Sequence, residues 1–208
     1  MDTYRVVARN HHTESANRIH SDDVAQQYGF RGGLVPGVTV FAYMTHPVAE
    51  RWGQAWLEGG AMSARFALPV YDGHEIVVEA TEVGDGQLEL AVRSDDGTVA
   101  ATGTATRAVA SSFDVADYPT APLPPRDQRP PASFEALPSG ATLGSLPPAG
   151  FHGELADVFL ALIGEDLPVY KAGAVAHPGT LLQCANEILS SNVLLGPWIH
   201  VSSQVTFA

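Results

Sequence analysis

Asn17-Arg-Ile-His20-Ser-Asp-Asp-Val-Ala-Gln-Gln-Tyr-Gly29-Phe-Arg-Gly-Gly-Leu-Val-Pro36-Gly37 is the stretch on which the reading of the fold turns. It contains two helix starts separated by a glycine stop. Ser21 is placed to cap a short helix, with Asp22 and Asp23 in the first turn, where the helix dipole favours anions. Gly29 closes that helix. Pro36-Gly37 opens a longer one, in which Val38, Phe41, Ala42, Thr45, Ala49 and Trp52 recur at helical spacing, so one face is expected to be buried. Pro47 lacks a backbone N–H and is expected to kink this helix or end its regular part, with Gly53 as the stop.

Outward from this stretch the pattern changes to β. Residues 4–9 read as a first strand. Segments 62–69, 74–83, 87–94 and 98–109 read as four more, separated by Tyr71-Asp72-Gly73, Gly84-Asp85-Gly86 and Asp95-Asp96-Gly97. The alternation in Glu75-Ile76-Val77-Val78-Glu79 and Leu88-Glu89-Leu90 gives a sheet with one wet and one buried face. A strand, a long apolar helix and an antiparallel meander together describe an α+β unit whose sheet wraps around a helix. This unit spans 1–118.

Residues 119–149 hold nine of the fifteen prolines and read as an extended linker crossing the surface. The remainder, 150–208, repeats the first half. Ala176-His177-Pro178-Gly179 matches Leu34-Val35-Pro36-Gly37, and Leu181, Leu182, Ala185, Ile188 and Leu189 follow at helical spacing. Pro36 to Phe66 is 30 residues and Pro178 to Phe207 is 29. The second unit therefore reads as incomplete after its first post-helical strand, with the missing strands supplied by another chain or the sequence being a fragment.

Composition excludes several classes. Formal net charge is −12, which repels nucleic acid and anionic membrane surfaces. No apolar run reaches the ~18 residues of a membrane span. Met-Asp-Thr-Tyr-Arg lacks the pattern of a secretory signal. Cys184 is the single cysteine, which suits a reducing cytosol. There is no phosphate-cradling glycine loop, metal-ligand set or nucleophile elbow. Ser111-Ser112 and His11-His12 read as loop residues.

The segment from Asn17 to Gly37 resembles the active-site segment of MaoC-type (R)-specific enoyl-CoA hydratases, a branch of the hotdog-fold superfamily. There the segment reads roughly Gly-Asp-x-Asn-Pro-x-His, then a short helix, then a glycine opening a long buried helix. The resemblance covers two stretches well, about 14–44 and 159–189, and the rest by pattern, and implies a tandem hotdog. It implies a substrate that is an acyl-CoA or acyl-carrier thioester, with coenzyme A present only as part of substrate and no separate cofactor or metal. It also implies a homo-oligomer, or a hetero-oligomer with another hotdog chain. In such enzymes an Asp–His pair activates water, which adds to the β-carbon of a trans-2-enoyl thioester while a proton goes to the α-carbon. The thioester oxygen is held by backbone N–H groups, one of them at the start of the long helix.

Carried over residue by residue, His20 is the base or water-orienting group, Asn17 matches the family Asn, and Gly37 the oxyanion-hole glycine beside Val35 and Pro36. The acid is where the chain departs: its place, five residues before the histidine, holds Ser15, which carries no charge. Glu14 is adjacent and takes the role only if the loop shifts by a residue. Arg18 stands where the family has proline, and Arg18 or Arg31 is the candidate for a phosphate contact. In Ile163-Gly-Glu165-Asp166-Leu167-Pro168-Val169-Tyr170 the second half carries a cross-match, with Glu165 at the acid position and Tyr170 at the histidine position. His177 precedes the second Pro-Gly pair. Three functions follow from the resemblance: an enoyl-CoA hydratase-like lyase with an impaired site, an inactive acyl-thioester-binding or scaffold subunit, or a thioesterase using Glu14 or Glu165.

Overall fold

The computed structural model describes residues 1–109, 114–148, 154–171 and 175–207. Strand β1 (Asp2–Val7) leads through a 3₁₀ turn (Arg18–His20) and α1 (Asp22–Gln27) to α2 (Gly37–Trp52) and α3 (Gln54–Leu57). Strands β2 (Ala61–Phe66), β3 (Glu75–Gly84), β4 (Gln87–Ser94) and β5 (Val99–Thr106) follow. Past the linker come α4 (Glu154–Ile163), α5 (Pro168–Lys171), α6 (Pro178–Asn192) and β6 (Ser202–Thr206).

The six strands form one antiparallel sheet in the order β1-β3-β4-β5-β2-β6. Its inner face follows the alternation in sequence. Ile76, Val78 and Ala80 of β3 and Leu88, Leu90 and Val92 of β4 are buried, while Glu75 and Glu89 point outward. Each buried Val, Leu or Ile contributes roughly 1.5–3 kcal/mol from area removed from water. Small residues on β5, Ala100, Ala101 and Ala105, let the sheet close over α2. This is the hotdog arrangement, a curved antiparallel sheet around one helix.

Two expectations about α2 change in the structure. Burial is not confined to one face: every residue from Val38 to Ala49 is buried. The sheet covers one side, and α4 and α6 of the second half pack on α2 as well. Nor does Pro47 end the helix, which continues to Trp52 and stops at Gly53. A central helix clamped from both sides tolerates the hydrogen bond that proline removes.

Among the described residues the second half contributes three helices and a single strand. That strand joins the first sheet rather than building a second one: β6 pairs with β2, with Met62 opposite Val205 and Ala64 opposite Ser203. Where the first half has β1 before its histidine motif, the second has α4, whose Leu- and Ala-rich sequence favours helix. α6 starts at Pro178-Gly179 as α2 starts at Pro36-Gly37, and Trp56 and Trp198 share that same offset of 142 residues. Their burial differs sharply. Within α6 only Pro178, Gly179, Thr180 and Asn192 are buried.

The linker lies along the C-terminal end of α6. Asn192 exchanges two hydrogen bonds with the backbone of Gly144, its Oδ1 accepting from the N–H at 2.7 Å and its Nδ2 donating to the carbonyl at 2.9 Å. Leu194 N–H donates to Pro130 O (2.8 Å) and Leu194 O accepts from Ala132 N–H (2.9 Å). The boundary at 149/150, Ser111 and Ser112 fall outside the described residues. No helix of the described residues is long and apolar enough to cross a membrane.

Candidate active site

His20 ends the 3₁₀ turn, anchored by the buried Ile19 beside it. Its Nδ1 lies 2.7 Å from the carbonyl of Leu34. A carbonyl only accepts, so Nδ1 carries the proton and Nε2 keeps its lone pair. Asn17 Nδ2 lies 3.3 Å from that Nε2. Asn17 is held in turn by the second half: its Nδ2 donates to Trp198 O (2.9 Å) and its Oδ1 accepts from Trp198 N–H (3.1 Å). Burial lowers the pKa of His20, the Leu34 hydrogen bond opposes that shift, and His12 adds to it. Neutral imidazole is the form this setting favours.

Ser21 begins α1, but its hydroxyl donates backward to Arg18 O (2.8 Å) and makes no side-chain cap bond to the helix. The capping expectation thus holds for position and not for the bond. The hydroxyl tightens the turn that presents His20.

Two cavities meet at His20. The first, about 270 Å³, runs beneath the start of α2 and is walled by Leu34, Val35, Val40, Phe66 and Val70 with Ile199 and Val201 from the second half. The second, about 470 Å³, is the more polar of the two: His12, Ser15, Arg126, Arg129, Gln183 and Glu187 share its wall with Val38, Val193 and Leu194. Asn17, His20, Pro36, Asn186 and Trp198 line both. Gly37 lines the apolar cavity at the N-terminus of α2 and sits tight against His200: a Cβ there would lie 2.7 Å from His200 Cβ.

The remaining sequence candidates are dispersed. Ser15 lines the polar cavity, and its hydroxyl donates to Asn17 O (3.1 Å), bracing the loop. Glu14 is exposed and lines neither cavity. Arg18 faces Asp23 at 3.7 Å and Arg31 lies over the ring of Tyr71 at 4.8 Å, so neither borders the cavities. Among the described residues no carboxylate hydrogen-bonds His20.

Glu165, Tyr170 and His177 gather in a second place, with partners that the sequence pattern did not disclose. Glu165 Oε1 and Oε2 each lie 3.0 Å from His46 Nδ1 on α2, and Leu167 N–H donates to Oε1 at 2.8 Å. His177 Nδ1 accepts from Gly179 N–H (3.0 Å), which leaves its Nε2–H to face Thr45 Oγ1 (3.4 Å) and Glu165 Oε2 (3.8 Å). Burial alone would raise the Glu165 pKa. Hydrogen bonds from His177, His46 and Leu167 outweigh it and hold the carboxyl at about 2. Burial dominates the lowered pKa of His177, with Glu165 opposing. Tyr4 stacks on His46 at 3.7 Å.

The nearby void, beside Tyr170 and His177, is only about 10 Å³. His46, Glu165 and the exposed Asp166 bring three ligand-type atoms within 4.8 Å of one another. Two of those atoms, however, are spent on the His46–Glu165 hydrogen bond. The cluster therefore acts as a polar clasp between α2 and the second half rather than as a substrate site. His46 was missed because it lies inside an apolar helical run, where nothing in spacing separates it from core.

No protein-family model and no curated protein sequence matches the chain. Among solved structures it is similar to a MaoC-like dehydratase from Phytophthora capsici, at 16% identity and TM-score 0.46 over 53% of this chain and 42% of that one. It is similar to the (R)-hydratase from A. caviae involved in PHA biosynthesis, at 22% identity and TM-score 0.37 over 50% of this chain and 91% of that one. It is also similar to the ChsH1-ChsH2 complex from Mycobacterium tuberculosis, at 19% identity and TM-score 0.39 over 50% of this chain and 91% of that one. The chain thus spans less than half the length of the Phytophthora protein. With its sheet in the order β1-β3-β4-β5-β2-β6 around α2, this chain has the hotdog fold and resembles the MaoC-like dehydratases and (R)-hydratases that share it.

Proposed function

We propose that the chain is a MaoC-like, hydratase-related protein that binds acyl thioesters between its two halves, in a reducing cytosol, alongside another hotdog chain or a second copy. The observation that carries this reading is the position of His20 Nε2. It stands unprotonated at the junction of an apolar cavity and a polar one, next to the start of α2. An acyl chain fits the first cavity, and its thioester oxygen then meets the N–H groups that open α2, near Gly37. A water on Nε2 has its nucleophilic lone pair exposed by loss of a proton to the ring. The water oxygen adds to the β-carbon of a trans-2-enoyl thioester, and the proton taken up by His20 Nε2 is passed to the α-carbon. No separate cofactor enters.

The missing carboxylate favours a second reading of the same site, a binding subunit with little or no turnover. Glu14 and Glu165, the two carboxylates that a thioesterase reading would use, line neither cavity at His20. Crotonyl-CoA hydration by wild type, His20→Ala and Ser15→Asp separates the first two. Weak wild-type activity, lost in His20→Ala and raised in Ser15→Asp, identifies an impaired hydratase; loss of one member of an acid–base pair removes on the order of 10³-fold or more in rate. Binding without turnover in all three variants identifies the binding subunit. Wild-type turnover that survives His20→Ala overturns the assignment of His20.

A further inference from the structure

The polar cavity beside His20 contains a cationic wall that comes from the linker. Pro124-Pro125 precede and Pro130-Pro131 follow a single 3₁₀ turn, Arg126–Gln128. Three residues per turn place positions i and i+3 on one side. Arg126 and the capping Arg129 accordingly both line the cavity. The flanking prolines restrict the backbone, so the two guanidinium groups are presented with little conformational freedom.

Several features at this wall fit an anion. Arg129 donates from Nη1 to Ser190 O at 3.0 Å, which seats it at the C-terminal end of α6. Its Nε is buried and has no hydrogen-bond partner among the described residues. His12 Nδ1, in the same cavity, is likewise buried and without a partner. Arg126 is exposed, and neither arginine is ion-paired among the described residues. Glu187, also exposed, is the carboxylate that shares the wall. In a chain of net charge −12, the two guanidinium groups put positive charge on one wall of this cavity. A buried donor without an acceptor costs free energy until an acceptor arrives. A guanidinium's planar fork matches phosphate oxygens better than any other side chain.

We propose that Arg126 and Arg129 clamp the phosphate of a phosphopantetheine-linked thioester whose acyl group lies in the apolar cavity beyond His20. This rests on the acyl-thioester reading and makes the linker, rather than Arg18 or Arg31, the part of the chain that recognises the carrier. The shared chemistry is a phosphate on pantetheine, carried either by coenzyme A or by an acyl carrier protein.

The test is calorimetric titration of the full chain with three saturated ligands: butyryl-CoA, butyryl-pantetheine and butyryl-acyl carrier protein. Wild type is expected to bind butyryl-CoA roughly 10–100-fold more tightly than butyryl-pantetheine, the effect of one or two charge-assisted hydrogen bonds. In Arg126→Ala and Arg129→Ala that ratio is expected to fall toward one. Among the described residues the Arg126 side chain makes no hydrogen bond, so its variant is expected to fold even if Arg129→Ala loosens the end of α6. Tighter binding of butyryl-acyl carrier protein than butyryl-CoA, lost in Arg126→Ala, assigns the phosphate to the carrier protein; the reverse order assigns it to coenzyme A. Equal wild-type affinity for butyryl-CoA and butyryl-pantetheine, or an unchanged ratio in Arg126→Ala, overturns the clamp alone. Absence of binding for all three ligands overturns the acyl-thioester reading and the clamp together.

Discussion

At the scale of single residues, the chemistry turns on the state of one imidazole. His20 Nδ1–H donates to Leu34 O, Nε2 keeps its lone pair and faces Asn17 Nδ2, and burial lowers the ring's pKa. Ligand binding or turnover that needs neutral His20 is expected to stay level as pH falls from 8 to about 6.5 and to drop only below that, since an ordinary histidine titrates near 6.5. An NMR titration of the His20 ring gives the direct check, and a midpoint above the ordinary value would contradict it. The stability sign is the same. Because the folded pKa is depressed, the unfolded chain takes up protons first, so stability present above about pH 6.5 is lost as pH falls. His12, His177 and His200 shift in the same direction for the same leading cause, burial. Gly37 is the other decisive residue. Gly37→Ala places a methyl 2.7 Å from His200 Cβ, next to main chain, so the 198–201 segment must move. The expected cost is about 1–3 kcal/mol of stability by urea denaturation, with loss of thioester binding. Wild-type binding in that variant would show that the wall yields.

At the scale of elements, α2 is held to the second half by a clasp rather than by apolar contact alone. His46 of α2, Glu165 and His177 form one buried group, with the Glu165 carboxyl at about 2. Its stabilisation is present above the ordinary glutamate range and is lost as pH falls through that range toward 2. Glu165→Ala leaves two histidines buried without their acceptor and is expected to cost roughly 3–5 kcal/mol, while Glu165→Gln, which retains acceptor oxygen for Leu167 N–H, costs less. Urea midpoints for the two variants are the measurement, and equal midpoints for Glu165→Ala and wild type would remove the clasp from the account. Gly179 permits the approach of α6 to α2 at the same place, since a Cβ there would lie 2.9 Å from Ala42 Cβ and 2.8 Å from Phe159 Cζ.

At the scale of the whole molecule, coverage is uneven. α2 is enclosed all round, whereas α6 is buried only at its ends and β6 is an edge strand. On α4, Leu155, Val158 and Leu162 form an exposed stripe at 70%, 51% and 41% accessibility, and Leu181 of α6 adds 41%. Exposed apolar stripes of this kind drive association. Light scattering is expected to show a mass that rises with concentration, and Leu155→Glu with Leu162→Glu is expected to reduce it. A fixed monomer mass across the accessible range would contradict this.

What the amino-acid sequence determined by itself was everything governed by local periodicity. The strands of the meander follow from two-residue alternation broken at Asp-Gly turns, α2 from its apolar spacing between Pro36-Gly37 and Gly53, and the repeat from the second Pro-Gly pair. His20, Asn17, Val35, Pro36 and Gly37 converge on one cavity system because they lie within one short segment whose backbone fixes their neighbours. Only the tertiary structure decided which distant groups meet. It joined β6 to the first sheet, buried the far side of α2, paired Glu165 with His46 across 119 positions, and put Trp198, Asn186, Arg126 and Arg129 in the wall of a cavity that His20 also lines. Those contacts depend on how two halves pack, and packing is set by complementary shape and charge between segments far apart in the chain, for which no periodicity exists to be read.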